Sequence, residues 1–283
     1  MSAEWRKRIF DLTAAPGERP QWLAKIIANA STAETNRRQV VALSGGKDST
    51  AMALALTHFE PSRYEFVITP TGDELPDMVA HWDLCAAMLG APLTPVGTRT
   101  LMGLCVEQKA LPNHRARWCT RMIKLEPYYN WLGEQGPVVS YVGLRADEES
   151  RPGMLFPDVN QVQMDFPMRR WGWVLDDVLA FLDFLGVKVP ERSDCALCFW
   201  QKLGEWYRLW REYPARFQRG VDLEAFVTAS RGTPYTFRSP QRDSWPAPLA
   251  DLRREFEAGR VPTKSLAIMD KRRQVGACRV CTL

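Results

Sequence analysis

Ser44-Gly45-Gly46-Lys47-Asp48-Ser49-Thr50 follows the apolar run Val40-Val41-Ala42-Leu43 and leads into a helical stretch over residues 51–59. A β-branched strand that enters two glycines and then a helix brings free backbone and unpartnered N–H groups to one point, where the helix dipole favours an anion. The heptapeptide therefore reads as a pyrophosphate-binding loop. Met52, Ala55, Leu56 and Phe59 recur at helical spacing, so one face of the helix is expected to pack on a sheet while its N-terminus stays open. A Walker A loop is excluded, because Gly46-Lys47 is followed by Asp48 where that loop needs Ser or Thr. A plain Gly-Gly turn would not require Ser, Lys, Asp and Ser together.

Working outward, residues 64–69, 93–96, 138–144 and 161–166 read as further strands, with helical patterns over 76–89 and 121–132 between them. Alternating strand and helix specify the α/β class, a doubly wound parallel sheet covered on both faces. Ligands of such sheets sit beyond the carboxyl ends of the strands, so the segments after each strand are where chemistry is sought. Residues 21–30 form an amphipathic helix through Trp22, Ile26 and Ile27, expected at the sheet edge. A helix over 174–185 closes the unit. The chain thus divides into a nucleotide-binding domain, residues 1–190, and a smaller helical, cysteine-bearing region, residues 191–283, with helices over 203–212, 214–229 and 249–258.

At 283 residues and 46% hydrophobic content the chain can bury a sizeable core. No apolar stretch approaches membrane-spanning length, and the start carries Glu4, Arg6, Lys7 and Arg8 with no signal-like apolar core behind them, so a cytoplasmic protein without membrane contact is expected. The net charge of +4 is unevenly spread: residues 191–283 hold 17 Lys+Arg against 11 Asp+Glu, residues 1–190 hold 20 against 22. Trp200, Trp206, Tyr207, Trp210 and Trp245 lie in the basic part. Cations among aromatics suit a phosphate backbone with unstacked bases, whereas Trp206, Leu209, Trp210 and Tyr213 at helical spacing suit a core. His114, Arg115, Arg117, Arg121 and Lys124 crowd Cys119, either to hold phosphate or as a solvated face.

Three further segments carry chemistry. Thr71-Gly72-Asp73-Glu74-Leu75-Pro76 follows the second strand. Its hydroxyl and turn glycine suit a nucleotide, and Asp73 or Glu74 suits a magnesium shell or simply an acidic helix N-terminus before Pro76. In Val142-Gly143-Leu144-Arg145-Ala146-Asp147-Glu148-Glu149-Ser150-Arg151, the Arg145 guanidinium at a strand end can clamp phosphate or pair with Asp147 or Glu149. Seven cysteines without a secretory signal argue for thiols, metal ligands or redox chemistry. Cys85 and Cys105 lie on apolar helical stretches and read as buried thiols, while Cys119, Cys195-x-x-Cys198 and Cys278-x-x-Cys281 have ligand-like settings.

The phosphate loop resembles the signature of the PP-loop ATP pyrophosphatases and of the phosphoadenylyl-sulfate reductase-like family that shares their fold. The Thr71 segment is similar to the Thr-Gly-x-Glu-x-Pro of sulfonucleotide reductases. The Gly143 segment resembles a Gly-Ile/Leu-Arg-x-x-Glu-Ser-x-x-Arg segment, with Glu148 or Glu149 at its acidic position and Arg151 spaced differently. Phe166-Pro167-Met168-Arg169-Arg170-Trp171 is similar to a Pro-Leu-x-x-Trp segment that precedes the C-terminal cysteines. A lone Cys119 followed far downstream by Cys195-x-x-Cys198 resembles the iron-sulfur cysteines of cluster-containing reductases and of DNA phosphorothioation sulfurtransferases, although Trp118 stands where those reductases carry a second cysteine.

The resemblance implies ATP with Mg2+ bound by Ser44, Gly45, Gly46, Lys47, Asp48, Ser49, Thr50, Thr71, Gly72, Glu74, Gly143 and Arg145, with Lys47, Asp48 and Arg145 as the catalytic groups. It implies a 4Fe-4S cluster on Cys119, Cys195, Cys198 and Cys281 (or Cys278), unless the fourth iron is left open for sulfide or substrate. Four thiolates of Cys195, Cys198, Cys278 and Cys281 also make a complete zinc set. The implied activity is sulfur transfer: ATP is cleaved to AMP and pyrophosphate, an acceptor such as DNA, tRNA or a nucleotide is adenylylated, and sulfur from a cysteine desulfurase or sulfide is inserted. The alternatives are reduction of an adenylylated sulfate and a zinc-stabilised ATP-binding adaptor.

Overall fold

The computed structural model describes residues 2–15, 17–31, 35–151 and 161–274. Cys278 and Cys281 lie outside the described residues. Two helices, α1 (Ser2–Ala14) and α2 (Gln21–Asn29), precede β1 (Arg38–Ala42). There follow α3 (Lys47–Phe59), β2 (Tyr64–Ile68), α4 (Pro76–Leu89), β3 (Leu93–Pro95) and α5 (Leu101–Gln108). A π-helical turn, Thr120–Leu125, runs into α6 (Glu126–Glu134), then β4 (Val138–Tyr141), β5 (Val162–Asp165), α7 (Pro167–Trp171) and α8 (Leu175–Leu185). The last part of the chain contributes α9 (Leu203–Glu212), α10 (Pro214–Arg231), α11 (Leu249–Glu257) and α12 (Thr263–Gln274).

The five strands form one parallel sheet in the order β3-β2-β1-β4-β5. On β1, Val41 stands opposite Phe66 of β2 and Tyr141 of β4. The chain builds outward from β1 to β3, then crosses back to β4 on the other side, so the strand order reverses between β1 and β4. In sheets of this kind the ligand site lies beyond the carboxyl ends of two such strands.

Each face of the sheet has its own core. Val41, Phe66, Val139 and Tyr141 pack with α1 to α4, α7 and α8, while Val40, Val67, Val138 and Val162 pack against Tyr128 and Leu132 of α6. The helix after the phosphate loop is buried more completely than its one-faced pattern predicts: Ala51 through Leu56 are all covered, because α4 and α8 pack against it as well. The amphipathic α2 packs on α7 and α8 rather than on the sheet edge. Its apolar stripe specifies burial, not the surface that provides it. Trp171 and Trp173, fully buried, sit edge-on to one another in this layer.

A third core joins Trp206, Phe217, Leu249 and Phe256 of α9 to α11 with Leu75, Leu101, Leu104 and Ile123 from before residue 190. The cysteine-bearing loop at residues 195–198 lies inside this core, with Ala196 and Leu197 fully buried. No helix among the described residues is long and apolar enough to cross a membrane.

Candidate active site

Gly45 adopts φ +79, and a Cβ there would stand 2.4 Å from the Met78 side chain and 2.7 Å from Trp82 Nε1, so only glycine fits. The loop is braced by its own hydroxyls. Ser49 Oγ lies 2.9 Å from Ser44 Oγ and accepts from the Gly45 N–H at 3.1 Å, and Trp82 Nε1 donates to the Ser44 carbonyl at 3.3 Å. The N–H of Thr50 donates to the Gly46 carbonyl, which leaves Lys47, Asp48 and Ser49 as the first-turn N–H groups with no intrahelical acceptor. Thr50, counted with the loop in the sequence, turns the other way: its hydroxyl is buried against His81 Nε2 at 3.1 Å.

Gly143 brings the loop after β4 onto this turn. A Cβ on it would lie 3.2 Å from Ser49 Cα and 3.3 Å from the Asp48 carbonyl carbon, which is backbone that cannot yield. That approach delivers Arg145, 6% exposed, to the phosphate loop across the switch point. Arg145 Nη1 donates to both Asp48 oxygens at 3.0 Å, and Nε donates to Asp147 Oδ1 at 2.8 Å. Asp48 also pairs with Lys47 Nζ at 3.2 Å. Burial pulls the guanidinium down, and Asp48, Asp147 and Glu148 together outweigh it, so Arg145 is held above its ordinary value.

Of the two acids that fit the family segment, the structure singles out Glu148. It is buried, accepts from the Arg145 N–H at 3.1 Å and pairs with Arg151 at 2.7 Å, while Glu149 is exposed. Burial pushes the Glu148 carboxyl up, but Arg151 and the Arg145 amide overcome it and leave it below the usual carboxylate range. The three cations Lys47, Arg145 and Arg151 are thus matched by Asp48, Asp147 and Glu148 in one knot.

The segment after β2 corrects one expectation. Asp73 does not face the phosphate crevice; it is fully buried and ties the cysteine loop to the sheet. Its Oδ2 accepts from the Leu197 N–H at 2.7 Å, its carbonyl accepts from the Ala196 N–H at 2.7 Å, and its Oδ1 pairs with Arg219 at 3.1 Å. Glu74 is engaged as well, accepting from the Thr71 N–H and hydroxyl at 2.6 Å each. Gly72, at φ +72, allows the tight turn between them, and a Cβ there would stand 2.8 Å from the Thr100 side chain.

Thr71 is the link to the thiols: the Cys195 Sγ donates to Thr71 Oγ1 at 3.2 Å. Cys119, at the start of the π turn, packs on the same core as Cys195 and Cys105. The thiols sense one another. Burial pushes Cys195 and Cys105 up to about 12, with Cys119 and Cys195 adding to the rise at Cys105, and burial raises Cys119 and Cys198 too. Lys124 opposes the rise at both Cys119 and Cys195.

Burial among thiols penalises the thiolate, and a bound cation reverses that penalty. Thiolate donors fit an iron-sulfur cluster by identity. As they stand, no group of three or more Cys, His, Asp or Glu side chains among the described residues is arranged to hold a metal ion. The chain leading into the cysteine loop touches the phosphate loop, with Ser193 Oγ 3.3 Å from where a Gly46 Cβ would stand.

Sequence reasoning missed the strut role of Asp73, the place of Cys105 beside Cys119 and Cys195, and the π turn behind Cys119. Asp73 gave a signal in its position between Thr71 and a helix start, but its partners lie 124 and 146 residues away.

Residues 38–167 match the family described as phosphoadenosine phosphosulfate reductase domain. An uncharacterized protein of Methanocaldococcus jannaschii is 27% identical over 196 residues, 64% of this chain and 46% of that protein, so the chain spans about half the length of the curated relative it matches. Among solved structures, phosphoadenylyl-sulfate reductase from Candida auris, in a phosphate complex, superposes with a TM-score of 0.45 and 15% identity, covering 65% of this chain and 88% of that one. The U34-tRNA thiolase NcsA from Methanococcus maripaludis, with its 4Fe-4S cluster, gives 0.45 and 16%, covering 72% and 77%.

Proposed function

We propose that this chain, whose residues 38–167 match the phosphoadenosine phosphosulfate reductase domain family, is an ATP-dependent sulfurtransferase. The observation that carries the reading is the adjacency of the two loops: Cys195 bonds to Thr71 at 3.2 Å, and Ser193 abuts Gly46 of the phosphate loop. A phosphate site and a nest of thiols placed side by side suit a reaction that activates an oxygen with ATP and then replaces it with sulfur.

The first-turn N–H groups of Lys47, Asp48 and Ser49 and the Lys47 ammonium hold the β- and γ-phosphates, and Asp48 shares their Mg2+. The acceptor oxygen attacks the α-phosphorus, the bond from that phosphorus to the α,β-bridging oxygen breaks, and pyrophosphate leaves with the electron pair. Arg145 and Lys47 neutralise the charge that builds on the leaving group. A sulfur nucleophile then displaces AMP from the adenylylated carbon. Cys119, Cys195 and Cys198 would hold a 4Fe-4S cluster, which supplies thiophilic iron for the incoming sulfur, with Cys281 or Cys278 as candidate fourth ligand. The acceptor is a nucleic acid or nucleotide, the donor sulfide or a cysteine desulfurase, and the free thiols belong in a reducing, cytoplasmic setting.

A second reading, reduction of an adenylylated sulfate, is favoured by the family match over residues 38–167. Anaerobic purification with iron, sulfide and zinc analysis tests both, run beside Cys119→Ala and Cys198→Ala and followed by assays for pyrophosphate from ATP and sulfite from adenylyl sulfate. Sulfur transfer requires iron that both variants lose, together with pyrophosphate release. Zinc indifferent to Cys119, or sulfite without pyrophosphate, would overturn it; ATP binding with neither product would make the protein an adaptor.

A further inference from the structure

Of the tryptophans in the basic part of the chain and Tyr207 beside them, Trp206 and Tyr207 are buried, and Trp245 and Trp210 pack on Phe256. Trp200 alone of them is exposed, at 36%. It is also rigidly placed. Its neighbours Phe199 and Gln201 are 7% and 0% exposed, Gln201 accepts from Arg192 at 2.9 Å, and Arg242 donates to the Phe199 and Trp200 carbonyls at 3.5 and 3.4 Å. A large ring fixed at the surface by a loop that is otherwise buried is placed for contact, not for packing.

The loop carries the ring close to the thiols. The Trp200 backbone N–H donates to the Cys198 thiol, and the Arg117 guanidinium, two residues from Cys119, lies 5.9 Å from the Trp200 ring centroid. The segments that carry these residues also expose Arg115, Arg121, Lys202 and Arg242, of which Arg242 donates to the Trp200 carbonyl at 3.4 Å. The nearby acids are engaged, Glu126 with Arg121 at 2.5 Å and Asp243 with Arg238 at 2.8 Å. A π-face beside a guanidinium, within a basic rim, matches an unstacked base whose flanking phosphates meet the cations.

We infer that Trp200 and Arg117 form a stacking platform that holds an unpaired nucleobase of a single-stranded nucleic acid at the mouth of the thiol site. The inference rests on the sulfurtransferase reading for what happens to that base, and it narrows the acceptor class to nucleic acid presented single-stranded or flipped out. Duplex bases, already stacked, cannot reach the ring.

The test uses the full chain, purified anaerobically, and fluorescence anisotropy with end-labelled short single-stranded RNA, single-stranded DNA and duplex DNA over a salt series. Single strands bind better than duplex, and the RNA and DNA arms identify which backbone is preferred. Trp200→Ala weakens single-strand binding about tenfold or more, while Trp200→Phe retains most of it. Arg115→Ala lowers the slope of log affinity against log salt by about one, and Trp200→Ala leaves that slope unchanged. Equal binding by wild type and Trp200→Ala, or preference for duplex, overturns the inference. Pyrophosphate release is measured on the same wild-type preparation. Release without Trp200-dependent binding sinks the platform and leaves the sulfurtransferase; Trp200-dependent binding without release does the reverse.

Discussion

Replacing Asp73 with alanine separates a structural strut from a metal ligand. The carboxylate is fully buried and accepts from the Leu197 N–H at 2.7 Å, so its loss leaves a buried donor unpaired, at a cost of about 1–3 kcal/mol. The pair with Arg219 at 3.1 Å adds about 0–1 kcal/mol, because the arginine is 40% exposed and screened. Destabilisation of about 1–4 kcal/mol follows, read as a lower midpoint in urea unfolding. The damage falls on the cysteine loop. If about 2 kcal/mol of it appears as local opening, alkylation of Cys195 and Cys198 by iodoacetamide accelerates about thirtyfold. Asp73→Asn keeps an acceptor for Leu197 and loses only charge, so its cost stays near about 1 kcal/mol. Mass spectrometry of alkylated peptides from the two variants and wild type decides the matter. Wild-type stability and wild-type thiol protection in Asp73→Ala would refute the strut.

Lys47→Ala and Arg145→Ala are each expected to slow pyrophosphate release by about 10²–10³-fold with the fold intact, checked by a coupled pyrophosphate assay and far-ultraviolet circular dichroism. Gly143→Ala places a methyl 3.2 Å from the Ser49 backbone; it costs about 1–3 kcal/mol in thermal unfolding and displaces the phosphate loop, so ATP affinity falls with it. His81, behind that loop, is lowered to about 4 by burial from its ordinary 6.5. The unfolded chain therefore binds the extra proton between those values, and the stability from neutral His81 is full above pH 6.5 and lost as pH falls toward 4. About 3 kcal/mol disappears over that window, and His81→Asn flattens the urea-unfolding profile there.

The strand, the two glycines and the helix of the phosphate loop were legible because each signal is local: β-branched residues, a turn and a 3.6-residue period. The same locality explains the agreement at α4, whose Pro76 starts it and whose Gly90 ends it in a left-handed conformation. Helices α1 and α12 carried too many charges to show a clear stripe and went unread. What sequence could not disclose is partnership at a distance. Arg145 meets Asp48 across 97 residues, and Asp73 meets Leu197 across 124. Nothing in the spacing of either acid distinguishes a phosphate-site group from a buried strut, since only the fold decides which carboxylate is walled off from water. Trp200 and Trp206 likewise differ by exposure alone, which follows from how α9 docks.

The π turn at Thr120–Leu125 has a bearing on how this site can be remodelled. A π turn holds one residue more than an α turn, an insertion carried inside a continuous helix. Deleting one residue within it would let the helix run in regular register from Trp118 into α6. Everything upstream would then rotate by about 100° about the axis, taking Cys119 off the core on which it packs with Cys195. The surplus residue acts as an angular spacer: it sets the direction of one thiol while α6 remains seated on the sheet. A lineage or a designer could retune the thiol nest here by changing length rather than side chains.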